Sequence, residues 1–123
     1  MISFQDKELT DHFNREFLKS LKCIANEKMQ NEAWINENYE GFNTYIEVFE
    51  RFTSPCEYVM KWPSLPKKYR LALQELYQKL MNYKDYYELD GRKIPKADKE
   101  IAQDPEWHQI RAFAEKIYHE LTT

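Results

Sequence analysis

Three histidines, two cysteines and 21 acidic residues are the side chains of this 123-residue chain that could do chemistry. His108 and His119 stand eleven residues apart, which puts them on one face of a helix. At 1.5 Å of rise per residue they are roughly 16 Å apart, too far to share a metal ion. His12 with Glu16, and Glu115 with His119, are spaced four apart and fit helix-surface ion pairs rather than a ligand set. Cys23 and Cys56 have no second cysteine at metal or redox spacing and no flanking histidine. They read as free, buried thiols. The only glycines, Gly41 and Gly91, cannot make a phosphate-cradling loop. The carboxylates have the pattern of solvated helix faces, not of a matched acid and base. The chain therefore reads as a non-enzyme without metal or cofactor.

One stretch does concentrate a single kind of chemistry. Residues 31–50, NEAWINENYEGFNTYIEVFE, hold five glutamates and five aromatic rings, with no Lys or Arg. Residues 27–57 carry seven acidic and two basic side chains, whereas residues 58–99 carry ten basic and five acidic. Such a dipolar pattern steers association with an oppositely charged surface, or else neutralises itself within the fold. Interfaces favour Trp, Tyr and Arg as anchors, and this chain has nine tyrosines and three tryptophans. Glu32, Glu37, Glu40, Glu47 and Glu50 are thus candidate partner-binding residues. Trp34 and Tyr39 are candidate anchors among them, unless these two rings belong to the core.

The elements that must position these groups are read from periodicity. Two glycines are too few for a sheet protein's turns, so helices are expected. A first helix begins near Thr10 or Asp11 and buries Phe13, Phe17, Leu18, Leu21 and Ile24. Asn26 caps a second, with Ala25, Met29 and Ala33 on one face, ending before Gly41. A third, from Phe42 to Thr53, turns Phe42, Tyr45, Ile46, Phe49 and Phe52 inward and leaves Asn43, Glu47 and Glu50 outside. TSPCEYVMKWPSLP reads as a connector, because its three prolines disfavour helix at the residues before them. A long helix follows from Ser64 or Leu65 to Tyr86, with Pro66 in its first turn and Tyr69, Leu73, Leu76, Tyr77 and Leu80 buried. ELDGRKIPKADKEIAQ reads as a polar loop with an Asp90-Gly91 turn and room for a short helix near Lys96 to Ala102. The last helix has Asp104 as cap and Pro105 at its first position. Its buried face is Trp107, Ile110, Ala114, Ile117, Tyr118 and Leu121. The expected architecture is one all-α domain, a bundle of five or six helices spanning residues 1–123.

A formal charge of −3 and a pI near 5.7 argue against a whole-surface nucleic-acid footprint. A narrower alternative is a nucleic-acid site in residues 61–99, where Lys61, Lys67, Lys68, Arg70, Arg92, Lys93, Lys96 and Lys99 lie near Trp62 and Tyr69. No apolar run reaches membrane-spanning length, and MISFQDKELT lacks the apolar core of a secretion signal. A cytoplasmic protein is expected.

SLKCIANEKMQNEAWI (residues 20–35) and DPEWHQIRAFAEKIYHEL (residues 104–121) resemble segments of small helical bacterial proteins, and together cover 34 residues. The whole chain, small, acidic, aromatic-rich and lacking catalytic signatures, is similar to immunity proteins of bacterial toxin systems, including those of contact-dependent growth inhibition. That resemblance implies tight binding to the toxic domain of a larger protein, often a basic nuclease, and occlusion of its active site. The residues alone leave open a non-catalytic helical adaptor.

Overall fold

The computed structural model describes residues 7–122. Among them are six helices and one two-stranded antiparallel hairpin. We label the helices α1 (7–25), α2 (27–35), α3 (Tyr45–Val59), α4 (Lys67–Asn82), α5 (Asp98–Ala102) and α6 (Pro105–Thr122). The strands are β1 (Tyr86–Leu89) and β2 (Arg92–Pro95).

Helix α1 is already running at Lys7, ahead of the expected cap at Thr10 or Asp11. It widens into a π turn over Phe13–Phe17 before continuing as Leu18–Ala25. The extra residue in that turn keeps Phe13, Phe17, Leu18, Leu21 and Ile24 on one face, and all five are buried as expected. Asn26 caps α2, its Oδ1 accepting from Met29 N at 3.1 Å. The helix stops at Ile35, well short of Gly41, and Met29 points outward at 38% exposure, not inward with Ala33.

The third helix corrects the reading of Pro55. It starts at Tyr45, not Phe42, and runs through Pro55 to Val59. Proline inside a helix loses one backbone hydrogen bond. Here Cys56 and Val59 are buried beyond it, and that packing carries the helix on. The inward stripe is Tyr45, Val48, Phe52, Cys56 and Val59. Ile46 is half exposed at 50%, and Phe42 and Phe49 are only partly buried, so three of the five expected core residues sit at its edge or outside it.

Helix α4 starts one residue after Pro66, which sits at the cap, and ends at Asn82 rather than Tyr86. Leu73, Leu76 and Leu80 are buried, while Tyr69 and Tyr77 are half buried. Helix α6 follows the sequence reading most closely. Asp104 Oδ1 accepts from Glu106 N at 3.0 Å, and Trp107, Ile110, Ala114, Ile117 and Leu121 are buried, while Tyr118, expected with them, sits partly buried at the edge of that face. Helix α6 packs against α1 and α4, α1 also against α3, and α5 against the second turn of α2.

The all-α expectation needs one correction. The expected polar loop holds β1 and β2, joined by Asp90 and Gly91 at φ 51° and 74°. Two successive positive φ values make the tight turn whose twist matches a hairpin. The turn signal was legible, but a hairpin whose residues are almost all exposed has no alternating pattern to betray it.

Candidate protein-docking face

Trp34 is not a surface anchor. It is 1% exposed, and its indole touches Phe42, Tyr45 and Trp107. Its Nε1–H donates to Asn43 O at 3.0 Å. A buried indole needs that acceptor, and here it comes from the loop between α2 and α3. Trp34 therefore fastens the loop that carries Glu37, Tyr39 and Glu40.

Tyr39 is 38% exposed, but its hydroxyl is committed, donating to Asp98 Oδ2 at 3.0 Å. The same carboxylate oxygen accepts from Tyr45 N at 3.3 Å. Asp98 thereby ties the loop and the start of α3 to α5. Burial, followed by the Asp98 hydrogen bond and charge, pushes the Tyr39 phenol up to about 12. Glu37 takes a left-handed conformation at φ 59°, where a non-glycine residue marks a tight reversal.

The five candidate glutamates are all exposed, but they are not equivalent. Glu32 Oε1 accepts from Asn38 Nδ2 at 3.2 Å. Glu47 closes a capping box: its Oε1 accepts from Thr44 N at 3.2 Å, and its own N–H donates to Thr44 Oγ1 at 3.4 Å. The Thr44 N–H, and the Thr44 hydroxyl donating to the same Oε1 at 2.9 Å, hold the Glu47 carboxyl below the usual range. Glu40 and Glu50 hold no side-chain hydrogen bond or ion pair among the described residues.

Extending α3 past Pro55 enlarges its wet face. Ile46, Glu47, Glu50, Ser54, Glu57 and Tyr58 recur at spacings of three and four on the side opposite the core. Tyr58 is the most exposed large apolar side chain there, at 71%. Ending the helix at Thr53 hid Glu57 and Tyr58; the same helical period carried through Pro55 would have found them. The result is a face of three glutamates and Arg51 on one helix between an isoleucine and a tyrosine, Glu57 Oε1 accepting from the Tyr77 hydroxyl at 2.6 Å, with Glu37, Tyr39 and Glu40 in the loop that leads into it.

The basic half is partly consumed by the fold. Arg70 Nη2 donates to Trp62 O at 2.6 Å and Leu65 O at 3.1 Å, pinning the turn before α4. Lys96 Nζ pairs with Asp104 Oδ2 at 3.0 Å, and its ammonium lies over the Tyr83 and Tyr87 rings. Neither is available to a phosphate backbone. Lys61, Lys67, Lys68, Arg92, Lys93 and Lys99 remain exposed.

Among the described residues no group of three or more His, Cys, Asp or Glu side chains is placed to hold a metal ion. No helix there is long and apolar enough to cross a membrane. Both thiols are free: Cys56 is buried and Cys23 partly so. A cleft of about 500 Å³ beside the hairpin is lined by Tyr45, Asp85, Lys96 and Asp98, among others. Burial first, and then Asp85, pushes the Tyr45 hydroxyl far above its ordinary value, so that phenol is no base at neutral pH.

Compared with protein-family models, with curated proteins and with solved structures, the chain matches none of them.

Proposed function

We propose that this chain is a non-catalytic binding protein of the immunity type, which captures a basic toxin domain through the acidic face of α3 and the loop before it. The observation that carries this reading is the composition of that face. Glu47, Glu50 and Glu57 lie along one exposed helix side with Ile46 and Tyr58 flanking them. Carboxylates accelerate encounter with a cationic surface, and desolvated rings slow departure. The neighbouring loop is held in place by Trp34 and Asp98, so the face is preorganised and loses little entropy on binding. Action is then stoichiometric, by covering the toxin's active site.

The experiment is coexpression with the C-terminal domain of the protein encoded by the adjacent upstream gene, read as rescue of growth and as affinity of the purified pair. Glu50 and Glu40 are the residues to reverse, since neither supports the fold. Glu40→Lys with Glu50→Lys is expected to slow association at least tenfold, with the loss shrinking as salt rises. Association unchanged by the double reversal would reject the acidic face. Absence of any complex with the neighbouring product would reject the toxin reading.

A further inference from the structure

The hairpin has two outer edges, and the sequence treats them differently. Lys96 N donates to Asp85 O at 2.8 Å, which makes 85 and 96 a hydrogen-bonded pair. With Tyr87 opposite Ile94 and Leu89 opposite Arg92, the ladder bonds alternate onto those pairs as well. The backbone groups of Tyr86 and Glu88 therefore point away from β2, and so do those of Lys93 and Pro95 on the far side. Pro95 has no N–H to give, so the β2 edge is blunted against a further strand. The β1 edge carries no such block. Lys84 continues its outward series, being exposed and following Tyr83, whose backbone is extended at ψ 129°. The Tyr87 hydroxyl donates to Glu100 of α5, but among the described residues neither strand makes extensive contact with a helix. One face of the hairpin also leaves Tyr87, Leu89 and Ile94 exposed at 48%, 60% and 43%.

We propose that the open edge of β1 pairs antiparallel with β1 of a second copy of this chain, about a two-fold axis at Tyr86, joining two hairpins into a four-stranded sheet. Charge selects both the occupant and the register. With the axis at Tyr86, Lys84 lies opposite Glu88 of the second copy, and Glu88 opposite its Lys84, giving two opposite-charge pairs across the seam. An axis at Glu88 sets two glutamates against each other. An axis at Tyr87 leaves Glu88 opposite Tyr86 and sets Lys84 opposite Asp90, which stands in the tight turn at φ 51° beyond the end of β1. The self-complementary register is what a symmetric two-fold interface requires. A lone two-stranded ribbon is marginal in water, and pairing satisfies the outward N–H and C=O groups of Lys84, Tyr86 and Glu88 together. The interface is separate from the toxin-binding reading and stands or falls without it.

The test is sedimentation of the full chain at concentrations up to about 1 mM, the weak end of specific affinity. A reversible monomer–dimer equilibrium is expected. Glu88→Lys sets lysines opposite each other and is expected to weaken the dimer at least tenfold, as is Lys84→Glu. The double swap Lys84→Glu/Glu88→Lys restores opposite-charge pairs and is expected to recover most of the loss. Glu88→Pro removes an N–H that β2 does not use and is expected to abolish association, with helical circular dichroism retained. A native chain that stays monomeric to about 1 mM overturns the proposal, whatever strand of another protein that edge then accepts. So does a dimer indifferent to Glu88→Lys, or a double swap no better than the single reversals.

Discussion

Trp107 Nε1 donates to Gln30 Oε1 at 2.9 Å across 77 residues of sequence, and Arg111 Nη1 donates to the same oxygen at 3.1 Å. The Gln30 amide nitrogen in turn donates to the carbonyls of Cys23 at 2.9 Å and Ile24 at 2.8 Å. One fully buried side chain thus closes the last turn of α1 and binds it, through α2, to α6. Arg111 is 3% exposed, and its charge is answered by Glu27 at 3.4 Å at the surface, while its guanidinium also contacts His108 Nδ1. Burial lowers the Arg111 pKa, and Glu27 opposes that shift, so the cation persists inside the fold.

Truncating Gln30 leaves two buried donors and two carbonyls without partners. Gln30→Ala is expected to cost about 2–4 kcal/mol, because each orphaned buried group carries its own desolvation penalty. Urea unfolding measures it. A loss below about 1 kcal/mol would mean that the network contributes little beyond its packing.

Thr44 and Glu47 close the N-terminus of α3 reciprocally. Thr44→Ala is expected to destabilise the chain by about 1 kcal/mol and to shift the thermal midpoint down by several degrees. Because Glu47 shares that box, reversing it changes folding as well as charge. A binding defect in Glu47→Lys therefore counts only if Glu50→Lys, which leaves the box intact, shows one too.

Acid should loosen the contact between the end of α4, the start of β2's return and α6. Burial pushes the Asp104 carboxyl up, but hydrogen bonds from Tyr83 at 2.7 Å and from Lys96 outweigh it and leave it below its ordinary 3.8. The Glu100 carboxyl is likewise held below 4.5 by the Tyr87 hydroxyl and the Ala97 amide. A carboxyl depressed in the fold contributes stability above its unfolded value and loses it as pH falls through the folded one. The urea midpoint is thus expected to decline below about pH 4, and less steeply in Asp104→Asn. An identical slope in that variant would remove Asp104 from the account.

The two thiols should separate kinetically. Burial, with Glu57 adding to it, pushes the Cys56 thiol up to about 12, whereas burial raises Cys23 against the pull of Lys19, Arg51 and Lys22. At pH 8 an aromatic disulfide reagent is expected to label Cys23 slowly and Cys56 only on unfolding. Rapid labelling of both in the native chain would contradict the buried position of Cys56 on the core side of α3.

The amino-acid sequence by itself determined the helical period, the caps at Asn26 and Asp104, the core stripes of α1 and α6, and the acidic and basic halves. Those features follow from local chemistry: side-chain spacing, cap hydrogen bonds and charge counts need no distant partner. The tertiary structure decided the rest. Trp34 went inward because Tyr45 and Trp107 meet it and Asn43 supplies an acceptor for its N–H. The helix passed through Pro55 because Cys56 and Val59 had a core to enter. Gln30 and Arg111, polar by type, became interior because three helices, α1, α2 and α6, deliver matching donors and acceptors to one point. Long-range partners override local preference wherever burial is worth more than a single backbone hydrogen bond or one solvated polar group, and no spacing in the chain records where those partners will lie.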